Sequence, residues 1–169
     1  FYNHNKKNKK ITITGTNGKS TTAKILFEAL KDQKIDVRLV GNIGNPVLSE
    51  KKITDKTVFV IEVSSYQLEY SKLFKSDISL ILNISPDHLE RHKTINKYVS
   101  AKFKLLKKQS KKDLAILNAK NFYIDKELRS KNFSPKIIKI EKNINQTFLK
   151  KINNPYFNTE GNRENLQFI

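Results

Sequence analysis

Six runs of strand length punctuate the chain: "KITIT" (10–14), "DVRLV" (36–40), "TVFVIEV" (57–63), "DISLILNI" (77–84), "DLAILN" (113–118) and "KIIKI" (136–140). Stretches of helical period or polar loop separate them. Several runs are continuous and β-branched rather than alternating apolar with polar, the pattern of strands covered on both faces. A sheet buried on both faces needs helices on both sides, so the expected class is α/β, a mostly parallel sheet flanked by helices. No internal repeat is visible, and 169 residues match one domain of ordinary size with a real core. After Ser130 polar residues dominate and the period weakens, which predicts edge elements and a linker.

Thirty-three basic against sixteen acidic residues give a formal charge of +17, which raises the question of a polyanionic partner. The lysines are spread along the chain, clustering only at "KKNKK" and "KKQSKK", and no aromatic residues interleave with them as a stacking platform requires. The charge therefore reads as a solvated lysine-rich surface, and nucleic acid is not the expected partner. No window approaches the roughly 18 apolar residues of a membrane span, and "FYNHNKKNKK" lacks the apolar stretch of a signal peptide. With no cysteine there is no disulfide framework, thiolate site or cysteine nucleophile, which fits a reducing, cytoplasmic setting. The chain opens on Phe1 without an initiator methionine, so it is expected to be a piece of a longer protein.

The first run leads into "TGTNGKST", with Ile11 to Thr14 as strand and Ala23, Leu26, Phe27 and Leu30 as an i, i+3, i+4, i+7 apolar helix face. Strand, glycine loop and helix form the context of a P-loop. Gly15 and Gly18 let backbone N–H groups turn toward an anion at the helix N-terminus. Lys19 would reach the terminal phosphates and Ser20 would offer a hydroxyl to Mg²⁺, although "GTNGKS" is shorter than the usual pattern. Glu62, near the end of an otherwise apolar strand, is expected across from this loop, because ligands gather beyond the carboxyl ends of strands in open α/β sheets. In "LILNISPDHLERH" a strand from Ile78 to Ile84 runs into His88, a candidate metal ligand that Asp87 or Glu90 would orient. A helix follows in "TINKYVSAKFKLLKK", and Lys102 falls inside its apolar stripe of Ile95, Tyr98, Val99, Ala101, Leu105 and Leu106. Burial there depresses the amine's pKa and opens it to modification, whereas snorkelling to water is the plainer alternative.

Taken in order, "TGTNGKST", "GNIGNP", "EVSSYQLE", "NISPDHLERH" and "YVSAK" resemble the central domain of the Mur ligase family, strongly from Ile11 to Asn118. Within it, "GNIG" with "SSYQLE" and "DHLERH" is most similar to the members that add D-glutamate. Tyr66 stands where the family usually has Phe, and Glu90 where it usually has Asp. The resemblance implies an ATP-dependent ligation. The carboxylate of UDP-N-acetylmuramoyl-L-alanine takes the γ-phosphoryl group, and the amine of D-glutamate attacks the acyl phosphate. It implies ATP contacts from Gly15, Thr16, Asn17, Gly18, Lys19, Ser20 and Thr21, and two Mg²⁺ ions, one on Ser20 and Glu62, the second on His88 and a carbamylated Lys102. Lys19, His88 and Lys102 would be catalytic, and Asn42, Ser64 and Tyr98 would meet the UDP-muramoyl substrate. "EGNRENL" resembles a family segment that meets adenine, with Asn162 and Asn165 matching and Gly161 replacing His.

The implied layout is a central ATPase domain over 1–155, with 1–9 as preceding linker, then 156–169 as linker and start of a C-terminal region. The family's N- and C-terminal domains would lie outside this chain, which alone would be an inactive monomer. Two other classes stay open: another amide ligase of the Mur and folylpolyglutamate superfamily, and a non-catalytic nucleotide-binding module.

Overall fold

The computed structural model describes residues 4–140, 152 and 155–169. Each of the six apolar runs forms a strand: β1 (Lys9–Thr14), β2 (Val37–Gly41), β3 (Val58–Glu62), β4 (Ile78–Ile81), β5 (Leu114–Asn118) and β6 (Lys136–Ile140). They build one sheet in the order β2-β3-β1-β4-β5-β6, every neighbouring pair parallel. Helices α1 (Lys19–Asp32), α2 (Ser65–Tyr70), α3 (Leu89–His92), α4 (Ile95–Phe103) and α5 (Phe122–Ser130) connect them, and a further helix spans Glu160–Leu166. The chain leaves β1 toward β2 and β3 and returns on the other side with β4. The strand order therefore reverses at β1, the position beyond whose carboxyl end ligands bind in open α/β sheets.

Both faces are covered, which is why the runs read as continuous. On one face Phe59, Ile61, Ile81, Ala115 and Leu117 pack under Leu68 of α2, Tyr98, Val99 and Phe103 of α4, and Ile124 of α5. On the other, Ile13, Val60, Leu80 and Leu82 lie under Ala23, Leu26, Phe27 and Leu30 of α1, with Phe168 joining them. Burying each such Val, Leu, Ile or Phe side chain contributes about 1.5–3 kcal/mol.

Some boundaries differ from the sequence reading. The strand expected to Ile84 ends at Ile81, because β1 turns away at Gly15; its backbone still pairs there, Leu82 N–H to Thr14 O (3.0 Å) and Thr16 N–H to Asn83 O (2.9 Å). The helix read through "KFKLLKK" stops at Phe103 and tightens into a 3₁₀ turn over Lys104–Leu106. β6 is the expected edge strand. The polar tail read as linker contains the helix Glu160–Leu166, capped by Thr159, whose side chain accepts from Asn162 N–H. The tail between β6 and that helix lies mostly outside the described residues.

Candidate functional site

The loop after β1 is held open by its neighbours. Asn83, just past β4, imitates a strand: its Oδ1 accepts from Asn17 N–H (2.8 Å) and its Nδ2 donates to Asn17 O (3.0 Å). Thr16 Oγ1 accepts from Ser85 N–H (3.1 Å). Gly18 takes the left-handed conformation, φ 79°, that starts α1. Helix α1 has no capping side chain and no acid in its first turn, so its leading N–H groups and positive dipole end are uncompensated by this element. Lys19 folds back to donate to Thr16 O (2.8 Å), while Ser20 is exposed and Thr21 half-buried at the same helix start.

Glu62 closes β3 beside this loop, in register with Ile13 of β1 and Gly41 of β2, and is fully buried. Its Oε1 accepts from Asn42 Nδ2 (2.9 Å), and among the described residues its Oε2 has no hydrogen-bond partner. A buried carboxylate oxygen left unpaired costs on the order of 1–3 kcal/mol or more unless something supplies it with positive charge. Two residues on, Ser64 caps α2 through a reciprocal box with Gln67, which leaves Glu62 and the start of α2 in one rigid turn.

Four rings gather on the other side of the loop. His88 is exposed and left-handed (φ 52°), its N–H bonded to Asp87 Oδ1 (2.9 Å). Its Nε2 lies 3.4 Å from Asp87 Oδ2 and its Nδ1 lies 3.7 Å from Glu90 Oε1, so both carboxylates proposed as orienters face it. Tyr66 and Tyr98 each touch both imidazoles: His88 at 5.1 and 6.2 Å, His92 at 5.6 and 5.2 Å between ring centres. Tyr98 is buried, and its hydroxyl meets Thr16 Oγ1 at 3.2 Å.

Lys102 does not snorkel. Its side chain is buried, its Nζ donates to Gly15 O (2.8 Å), and it sits 4.5 Å over the Tyr98 ring. Burial, then the nearby Lys19 charge, push its pKa down to about 7, against a weaker opposite pull from Asp87. A sizeable neutral, nucleophilic fraction therefore exists at ordinary pH.

The helix Glu160–Leu166 brings Asn165 onto the loop from the far side. Gly18 is favoured by its positive φ, and a Cβ built on it would stand 2.3 Å from Asn165 Nδ2 and displace that side chain. Asn165 is buried, whereas Asn162 is half-buried in the helix's first turn. The structure thus brings the loop, Glu62 with Asn42, Tyr98, Lys102 and Asn165 together beyond the carboxyl end of β1, and puts His88 beside them through Tyr98. Ser64 contributes its hydroxyl to the cap. Among the described residues no three or more His, Cys, Asp or Glu side chains gather as a metal-binding group. Sequence reasoning missed Ser65, Tyr66, Asn83 and His92 as site-forming residues. The only signal for His92 was its spacing one helical turn beyond His88.

This constellation on an all-parallel sheet defines a class, and the comparisons agree: the Mur ligase middle domain model matches residues 13–167, and the chain belongs to that family. It is similar to the UDP-N-acetylmuramoylalanine–D-glutamate ligase of Phenylobacterium zucineum (strain HLK1), 46% identical over 112 residues, covering 66% of this chain and 24% of that protein. The enzyme of the same name from Rickettsia bellii (strain RML369-C) is 41% identical over 123 residues, covering 73% and 27%. A solved UDP-N-acetylmuramoyl-L-alanyl-D-glutamate–2,6-diaminopimelate ligase superposes with a TM-score of 0.61 at 25% identity, covering 78% of this chain and 31% of that one. The chain thus spans about a quarter of the length of these curated relatives. Among the described residues no helix is long and apolar enough to cross a membrane.

Proposed function

We propose that this chain is the ATP-handling centre of a ligase that joins D-glutamate to UDP-N-acetylmuramoyl-L-alanine. The observation that carries the reading is the convergence of Lys19 and Lys102 on the Gly15–Gly18 loop, one donating to Thr16 O and the other to Gly15 O. The curated relatives' shared name supplies the substrates.

ATP's phosphates would lie on the loop and on the uncapped start of α1, contacted by Gly15, Thr16, Asn17, Gly18, Ser20 and Thr21. Lys19 would exchange Thr16 O for the γ-phosphoryl group and follow its charge through the transition state. The muramoyl carboxylate oxygen attacks the γ-phosphorus and ADP leaves. The D-glutamate amine then attacks the acyl carbon, phosphate leaves, and an amide remains. Asn42, Ser64 and Tyr98 would hold the muramoyl substrate, and Asn162 with Asn165 the nucleotide base.

The unpaired, buried Glu62 Oε2 fits a cation. Ser20 and Glu62 would hold one Mg²⁺, and His88 with a carbamylated Lys102 a second; the ions would neutralise charge on the phosphoryl oxygens. Carbamylation joins the neutral Lys102 amine to CO₂ with loss of a proton, and the remaining N–H can keep its bond to Gly15 O. The reading extends to a cytoplasmic monomer whose central domain covers 1–155, with further domains completing the substrate sites.

The test is phosphate release by the full-length protein. Release that requires ATP, UDP-N-acetylmuramoyl-L-alanine and D-glutamate is expected. Turnover with diaminopimelate, lysine or a folate in place of D-glutamate, or ATP binding without any ligation, would contradict the reading.

A further inference from the structure

We propose that His92 is a positioning residue for the ligation: its buried ring seats Tyr98, and through Tyr98 the Lys102 amine, against the phosphate loop. The inference rests on the ligase reading above.

Two helices far apart in sequence from one another, α2 and α4, meet on this one ring. Its Nε2 is 3.0 Å from the hydroxyl of Ser65, the first residue of α2, and both groups are buried. Its plane lies within 12° of the Tyr66 ring, and it packs 5.2 Å from Tyr98 of α4. Tyr98 in turn carries the Thr16 contact on one end and the Lys102 amine over its face. Without the imidazole the Tyr98 ring loses the wall that holds it, and the two contacts it makes with the loop and with Lys102 lose their common seat.

A histidine meets two demands at once. The buried Ser65 hydroxyl needs a hydrogen-bond partner, which an aliphatic or phenyl ring cannot give. The stack on Tyr66, with Tyr98 tilted at 57° against the same ring, needs a flat side chain. Burial also lowers the pKa of His92, so the ring stays neutral beside Lys102 rather than adding a cation to the cluster. A tight backbone turn follows this ring. Lys93, immediately after it, takes φ 67° and ψ −39°, and Thr94 N–H turns back to His92 O at 2.8 Å. Such a three-residue turn with positive φ is strained for a side-chain-bearing residue and persists only where packing over-determines it. The neighbouring His88 has the opposite environment, exposed, so the two histidines of "DHLERH" divide the work.

The experiment measures steady-state ligation by the full-length protein with His92→Ala, His92→Phe and Ser65→Ala. His92→Ala is expected to lower kcat about 10- to 100-fold while KM for ATP stays within about twofold and KM for the UDP-muramoyl substrate, which Tyr98 would also meet, rises by less than kcat falls, the size typical of lost support behind a working group. His92→Phe, which restores the ring, should recover part of that loss, and Ser65→Ala, which frees the ring, should lower kcat about fivefold or more. A His92→Ala protein that melts cooperatively and keeps kcat within twofold of wild type overturns the role, as does a change in KM alone. Should His92→Ala not fold, Ser65→Ala decides, with an unchanged kcat overturning it. Wild type that turns over normally beside unaltered variants refutes only the positioning role, whereas wild type that ligates nothing refutes the ligase reading and this inference with it.

Discussion

Among the described residues two lysines are buried at opposite ends of this sheet, Lys10 in β1 and Lys102 on α4, and they differ in what faces them. Lys10, fully buried at the amino end of β1, donates to Asn8 O and has the Asp77 carboxylate 3.6 Å away. The same Asp77 Oδ2 accepts from Lys10 N–H (2.9 Å), and Asn8 ties the segment to Thr54 O and Thr57 O at 2.7 and 2.8 Å. Lys102, beyond the carboxyl end, has among the described residues no carboxylate in ion-pair range; it has a carbonyl, an aromatic face and the charge of Lys19. A buried cation with its own counter-ion is a closed structural unit. One without is an open valence, and in an α/β sheet it lies at the end where ligands bind.

Substitutions can break this contrast. The largest effect is expected for Lys19→Ala in the full-length protein: activity falls about 10³-fold, as for loss of a transition-state charge donor, while circular dichroism is unchanged. Near-normal turnover would remove the phosphate loop from the chemistry. Lys102→Ala should lower activity about 10²-fold or more, with added acetate restoring part by taking the carbamate's place. Lys10→Met should leave kcat within about threefold, since that end holds no chemistry. Asp77→Asn strips the carboxylate from Lys10 and should cost roughly 1–3 kcal/mol in urea unfolding, with the folded fraction as active as wild type.

A pH series sharpens the comparison. The folded-state pKa of Lys102 is about 7 and the unfolded value about 10.4, so between them the unfolded chain binds more protons and stability rises with pH. Below pH 7 the full penalty of burying the charge applies. In CO₂-free buffer, where Lys102 is the free amine, Lys102→Met should therefore exceed wild type in urea midpoint most at pH 6 and least near pH 10; a constant difference would contradict the depressed pKa. Lys10 is also lowered by burial, but Asp77 pulls it back, so Lys10→Met should show a shallower change over the same range. The smallest effect is expected from Lys93→Gly, which relieves the positive φ after His92 and should add about 1 kcal/mol in thermal unfolding.

The structural end and the chemical end were unequally legible in the sequence. All six strands showed, most because apolar runs covered on both faces carry no alternation to confuse with a surface strand, and the largely exposed edge strand β6 by its isoleucines alone. The glycine loop, Glu62 at a strand end and Lys102 four residues past Tyr98 were visible for the same reason: each is a polar residue where the pattern demands an apolar one, or a glycine where a strand must turn. Lys10 breaks the pattern equally, yet its partner Asp77 is 67 residues away and only the parallel pairing of β1 with β4 brings it close. Asn165 against Gly18 is likewise a tertiary contact, made by a polar helix that Phe168 anchors in the core. The histidines were the hardest: His88 and His92 share one turn of helix, and nothing local says that one is exposed and the other buried between tyrosines.

The most direct measurement is carbon NMR of the full-length protein equilibrated with ¹³C-labelled bicarbonate. A lysine carbamate signal is expected in wild type and in Lys10→Met, and it should vanish in Lys102→Ala, since of the two buried lysines Lys102 is the one with both a pKa lowered to about 7 and no facing carboxylate among the described residues. No signal in wild type, or a signal that survives Lys102→Ala, would contradict the claim that the unpaired end of the sheet is the chemical one.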